Sequence, residues 1–228
     1  MSTSLAPVPT PGTAPAGDTF EASGQGELRV PLHLFVLKHA DTFLVADAFG
    51  DIRGEGDGLF RDGTRVLSRF ALTLGGHLPS LLGTRISQDN IFFTSNLTNL
   101  PLPPLGGSPL PEGVLHVERM RFLWETRLYE RLAFTNYADF DATAPLRLSF
   151  AADFHDMFEV RGTRRKVRGR TLPTEVTGDT VSLGYAGLDG IVRICSLAFS
   201  ERPDRLTSDH ADIIVRLPPR AGWELYLE

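Results

Sequence analysis

The chain has little of what usually marks a reactive site. Of its 228 residues one is a cysteine, Cys195, so neither an internal disulfide framework nor a cysteine-based zinc cluster can be built. Its six histidines form no HxH or HExxH pattern, which leaves no histidine pair at metal-ligand spacing; no metal and no cofactor are expected. Basic residues are outnumbered, 23 Lys and Arg against 28 Asp and Glu, for a net charge of −5. Such a chain lacks the positive field of a nucleic-acid binder. No apolar run approaches the roughly 18 residues of a membrane span; Leu34 to Leu37 is typical of those present. The first basic residue is Arg29, so the positive segment that opens a secretory signal is missing. GxSxG, P-loop and GxGxxG are absent too, which removes the commonest hydrolase and nucleotide signatures. These absences point to a soluble cytoplasmic protein with no nucleic-acid or membrane partner.

What is present is ordinary globular composition, 42% hydrophobic and 22% charged, enough chain for one large or two small domains. Some 70% of the surface can be buried at this size, so the core needs no covalent staple. Residues 1–30 are rich in Pro, Ala, Thr and Gly, with Pro7, Pro9, Pro11 and Pro15 at near-regular spacing. Such a segment cannot bury enough apolar surface to offset its ordering entropy, so a disordered leader is expected, followed by one domain over 31–228 with order beginning near Leu32.

From there short alternating runs bounded by Gly, Pro, Asn or Asp dominate, the signature of strands. In the clearest, Leu146, Leu148, Phe150, Ala152 and Phe154 share one face and Arg147, Ser149, Ala151 and Asp153 the other. Further candidates lie at 34–38, 42–47, 70–74, 80–86, 90–97, 181–185, 191–199, 212–217 and 223–227. About a dozen strands are spaced as in a large antiparallel β-sandwich. Residues 114–144 are ambiguous. They lack Gly and Pro, and Val117, Met120, Trp124, Leu128 and Leu132 fall at helical spacing, yet two strands with a bend near Glu125-Thr126 fit as well.

Asp153, Asp156 and Glu159 recur every third residue, and glycosidases need two carboxyl groups about 5–10 Å apart. The competing explanation is an ion-pair network with the run Arg161 to Arg170, six basic residues in ten. That run lacks the interleaved aromatics that stack on bases, so a solvated loop whose arginines pair with those three carboxylates is the expectation. The Asp- and Gly-dense stretch 47–64 does not follow the EF-hand order and reads as turns. Cys195 shares a face with Ile191, Leu197 and Phe199 and reads as a core residue.

Five phrases in order carry a resemblance: VLKHADTFLVADAFGDIR (36–53), GLFRDGTRVLSRFALTL (58–74), FLWETRLYERLAFTNYAD (122–139), FAADFHDMFEVRGTRRKVRGR (150–170) and YAGLDGIVR (185–193). Together they resemble the N-terminal domain of bacterial and archaeal glycogen-debranching-type enzymes, amylo-α-1,6-glucosidases, across about 32–228. The resemblance implies an all-β supersandwich that precedes an (α/α)6 catalytic barrel, and it favours a β-hairpin at 114–144. It also implies that the catalytic carboxylates sit in the barrel, which this chain does not contain. The domain would pack on that barrel and shape one wall of an α-glucan cleft without catalysing. Trp124, Tyr129, Phe158 and Arg161 are then the interface candidates. Arg65, Asp153, Asp156 and Glu159 are the candidates for contact with sugar, whose hydroxyls suit Arg and carboxylate hydrogen bonding. The alternative is a stand-alone glycan-binding module that uses Trp124 and Trp223.

Overall fold

Short turns set the architecture. The computed structural model describes residues 34–105 and 109–228; the leader expected over 1–30 lies outside them. Along the chain come β1 (Phe35–His39), β2 (Thr42–Ala46), β3 (Gly58–Arg61), β4 (Thr64–Leu67), β5 (Arg69–Leu74), β6 (Ser80–Ile86) and β7 (Phe92–Thr98). Three ten-residue strands follow, β8 (Leu115–Trp124), β9 (Arg127–Asn136) and β10 (Ala142–Ala151), then one turn of helix, α1 (Met157–Val160). The remainder is β11 (Arg170–Thr171), β12 (Glu175–Thr177), β13 (Thr180–Ala186), β14 (Val192–Ala198), β15 (Arg205–Leu206), β16 (His210–Leu217) and β17 (Gly222–Leu227). The all-β, antiparallel expectation is met. Among the described residues seventeen strands stand in place of the expected dozen because β3, β4, β11, β12 and β15 are only two to four residues long, too short for alternation to register.

The strands form four sheets: β1-β2-β3-β4, β15-β16-β10-β5, β17-β9-β8-β7-β6, and β13 flanked by β11 and β12 on one side and by β14 on the other. This subdivision is finer than the two layers of a plain sandwich, yet one hydrophobic cluster runs through all four. The ambiguous stretch is a hairpin. Trp124 pairs with Arg127 across Glu125 and Thr126, and Glu125 takes the left-handed conformation (φ 52°) that a two-residue loop demands. Gly178-Asp179 likewise joins β12 to β13.

β10 shows why the pattern works. Leu146, Leu148 and Phe150 are buried, while Arg147 turns out and pairs with Asp212 on β16. Burying each such apolar side chain contributes about 1.5–3 kcal/mol. The strand stops earlier than alternation implies. It ends at Ala151, and Phe154 sits in the left-handed region (φ 51°) beyond it. The stretch 47–64 also differs from expectation, for it contains β3 as well as turns.

The core carries charge. On β8, Arg119 and Arg121 alternate with the outward Met120 and share their face with Val117 and Leu123. Glu130 on β9 accepts from the Nε of both arginines at 2.6 Å, and Arg119 also donates to Asp51 at 2.6 Å. All four side chains are buried, and both guanidinium groups lie over the Phe70 ring. Burial disfavours the ionised carboxyl, but the two arginines outweigh it and hold Glu130 below the usual carboxylate range.

Cys195 lies on β14 two residues from buried Leu197, half-buried and packed against the edge of the core. Ile191, expected on the same face, instead lies in the preceding turn and is exposed.

Candidate functional site

The loop from β10 to β11 gathers the sequence-derived polar candidates. It is stitched to the β3–β4 hairpin through backbone bonds: the Arg65 amide donates to the His155 carbonyl at 2.8 Å and the Met157 amide to that of Gly63 at 3.0 Å. Arg65 is buried. Its guanidinium forks onto the Asp153 carboxylate and also donates to the carbonyls of Gly54, Glu55 and Asp57. Gly58 makes this path possible. A Cβ there would stand 2.5 Å from the Arg65 Cδ, and its backbone is at φ 153°, so any side chain would displace the arginine.

Asp156 is the N-cap of α1. Its Oδ1 accepts from the amides of Phe158 and Glu159, and Glu159 bonds back to the Asp156 amide at 3.1 Å, a capping box. Burial raises the Asp156 pKa, but the Glu159 amide and Arg165 prevail and hold it low. Arg165 pairs with Asp156 and Arg168 with Glu159 at 3.0 Å. The expected pairing of the basic run with these two carboxylates is therefore present. Asp153 departs from that expectation: its carboxylate goes to Arg65, and Arg168 reaches only its backbone carbonyl at 2.8 Å. Arg65 outcompetes the loop arginines for Asp153 because three carbonyls hold its guanidinium in place.

Asp156, Glu159, Arg165 and Arg168, but not Arg65 or Asp153, border an open cleft of about 380 Å3 whose far wall is the β13–β14 turn. Phe154 stacks on Tyr185 at 5.5 Å, Arg168 covers the same ring, and the Tyr185 hydroxyl accepts from the Gly169 amide at 2.7 Å. Phe154 holds a left-handed backbone that is costly for a bulky residue, on the order of 1–3 kcal/mol. On the far wall Asp189 forks with Arg193 at 2.7 Å, and that bond together with the Ile191 amide pulls its carboxyl down to about 2. The cleft thus presents arginines already paired with carboxylates, Arg165 with Asp156, Arg168 with Glu159 and Arg193 with Asp189. Neither Tyr185 nor the Asp189–Arg193 pair stood out in sequence, although both lie inside the phrase 185–193 that carries the resemblance. Among the described residues no cluster of three or more His, Cys, Asp or Glu is arranged to hold a metal.

The four interface candidates separate into two places. Trp124 and Tyr129 sit on the β8–β9 hairpin, with Trp124 58% exposed beside His39 and Tyr129 stacked on Phe122 at 4.9 Å. Phe158 lies on α1 and Arg161 is its C-cap. Phe158 on α1 and the cleft residues Val167 and Leu188 are 63%, 67% and 68% exposed. Trp223 aligns with buried Phe134 and donates to Glu201, so the two tryptophans occupy opposite faces of the five-stranded sheet.

A family model described as the N-terminal domain of (some) glycogen debranching enzymes matches residues 37–228. The chain belongs to that family. Among curated proteins none matches. Solved structures to which the chain shows a partial likeness include a protein from the human microbiome provisionally assigned as a kojibiose phosphorylase (TM-score 0.48, 9% identity over 75% of this chain) and a polysaccharide lyase (TM-score 0.35, 14% identity over 85% of this chain). The chain spans 22% and 32% of the length of those two chains. Among the described residues no helix is long and apolar enough to cross a membrane.

Proposed function

We propose that this chain is the non-catalytic N-terminal domain of an amylo-α-1,6-glucosidase-type enzyme of glycogen metabolism in the cytoplasm. It packs on a catalytic (α/α)6 barrel and supplies one wall of the α-glucan cleft. The observation that carries the reading is the corner around α1, where a cleft lined by Arg and carboxylate pairs is edged by exposed Val167 and Leu188, with Phe158 exposed on the adjoining helix. Apolar residues left in water beside arginines match the composition of protein interfaces, and a hydroxyl-binding lining beside them suits a sugar chain held between two domains. Phe158 and Arg161 face the barrel. Asp156 and Glu159 border the sugar, while Arg65 and Asp153 hold the loop that presents them.

Each of Asp153, Asp156 and Glu159 is neutralised by an arginine. A general acid needs a raised pKa, and Asp156 is shifted the opposite way. Incubation of the purified chain with a branched limit dextrin should release no glucose; release proportional to protein, and lost in Asp156→Asn, would refute the reading. A stand-alone glycan module rests on Trp124, the exposed tryptophan. Titration with maltoheptaose should leave Trp fluorescence unchanged up to millimolar sugar, and a saturable change would favour the module instead.

A further inference from the structure

All four sheets contribute to the wall of one partly enclosed pocket that opens to solvent on one side. A cavity of about 130 Å3 remains between Leu59 on β3, Leu67 on β4, Phe70 on β5, Leu128 on β9, Leu197 on β14 and Leu227 on β17. Sheets that meet from four directions cannot interdigitate side chains as two facing layers do, and the residual space is what their twist leaves over. Its wall also includes Cys195, whose thiol burial pushes up to about 12. The thiol is therefore neutral, a weak donor and no nucleophile.

The contents of such a cavity follow from its partners. Water needs two to four hydrogen-bonding groups. Of the polar groups on its wall, the Glu130 carboxylate is shared by Arg119 and Arg121, and the Ser196 hydroxyl, on the exposed side, bonds to Ser182. A charged or hydroxyl-rich guest would leave its own polar groups unpaired. An apolar cavity of about 150 Å3 in another protein stays dry and takes up benzene or xenon. Toward solvent the lining passes to Thr126 and to Arg127, whose Nη1 donates to both Glu228 carboxylate oxygens at 2.9 Å. Exposed pairs of this kind are weak and exchange readily.

We infer that this cavity is a binding site for one small, uncharged apolar molecule of about benzene size, with the Arg127–Glu228 pair as the gate at its mouth. The site is separate from the charged cleft and does not depend on the debranching reading. Binding is reversible, because the neutral Cys195 thiol does not trap the guest.

The test uses the purified chain with benzene and xenon as probes. Methyl resonances of Leu59, Leu67 and Leu197 should shift saturably with either. Benzene at about tenfold over its Kd should raise Tm by about 3–6 °C, whereas glucose at the same concentration should not. Val66→Phe fills the space and should abolish the shifts; if that variant does not fold, Cys195→Met fills part of it and should weaken binding at least tenfold. Glu228→Gln should quicken exchange of benzene and leave its Kd unchanged. Methyl signals indifferent to both probes, or a folded filled variant that still binds, would overturn the site. Exchange unaltered by Glu228→Gln would overturn the gate.

Discussion

Replacing Glu130 by Gln isolates the contribution of the buried charge network. In the wild-type chain two arginines face two carboxylates, Glu130 and Asp51, with every side chain buried. The Nη2 atoms of Arg119 and Arg121 already lack a hydrogen-bond partner, so the network has no spare capacity to absorb a loss. Glu130→Gln leaves one counter-charge for two guanidinium groups beneath Phe70. Removal of one member of a buried pair costs about 3–5 kcal/mol, against a total stability of about 5–15 kcal/mol. With a urea m-value of about 2.5 kcal/mol/M for a domain of this size, the midpoint should fall by roughly 1.2–2 M. The control is Arg131→Ala on the outer face of the same hairpin, where the arginine bridges Glu118 and Glu224 in partial contact with solvent. That pair should cost about 0.2–1 kcal/mol per bridge. Equal shifts for the two variants, or a Glu130→Gln shift under about 0.3 M, would refute the claim that the core depends on this network.

Three further outcomes follow from the same physics. Because its arginines depress the folded pKa of Glu130, the stability it contributes is present above the unfolded carboxylate pKa near 4.3 and lost as pH falls through the lower folded value; a denaturation series from pH 7 to 3 should show a steep acid loss that is flatter in Glu130→Gln. Arg65→Met strands the carbonyls of Gly54, Glu55 and Asp57 as well as Asp153, so it should cost about 2–5 kcal/mol and open 53–58 to limited proteolysis, and an unchanged cleavage pattern would contradict the role given to Arg65. Asp156→Ala removes the α1 cap and the Arg165 partner; about 0.5–2 kcal/mol should be lost, with faster amide exchange confined to 157–170, and slower or unchanged exchange there would show that the capping box is dispensable.

Much of the fold was legible as alternation, and where it was not the causes are specific. β10 and the β8–β9 hairpin are long, one-face-buried strands, so period-two patterning survives in them. β3 and β4 are four residues each and lie in a Gly- and Asp-rich stretch whose turn chemistry masks them. Phe154 continues the apolar alternation of β10 in sequence, but its left-handed backbone turns it out of the strand and onto Tyr185. Arg119 and Arg121 break the rule that charge faces water, although their in-register spacing with Val117 and Leu123 was a readable signal. In the cleft, Asp156–Arg165 and Glu159–Arg168 were accessible because the partners lie within one short loop. Arg65 and Asp153 are 88 residues apart, and only the folded hairpin brings them together.

The most direct test of the central claim is amide hydrogen exchange, compared between this chain alone and the same chain continued into a catalytic barrel. Docking at the α1 corner should slow exchange selectively over 154–170 and 185–193, leaving the outer face of the five-stranded sheet as it is in the isolated chain. Protection on that sheet around Phe92, Phe122 and Tyr129, with the α1 corner unchanged, would contradict the account and move the domain interface to the hairpin face.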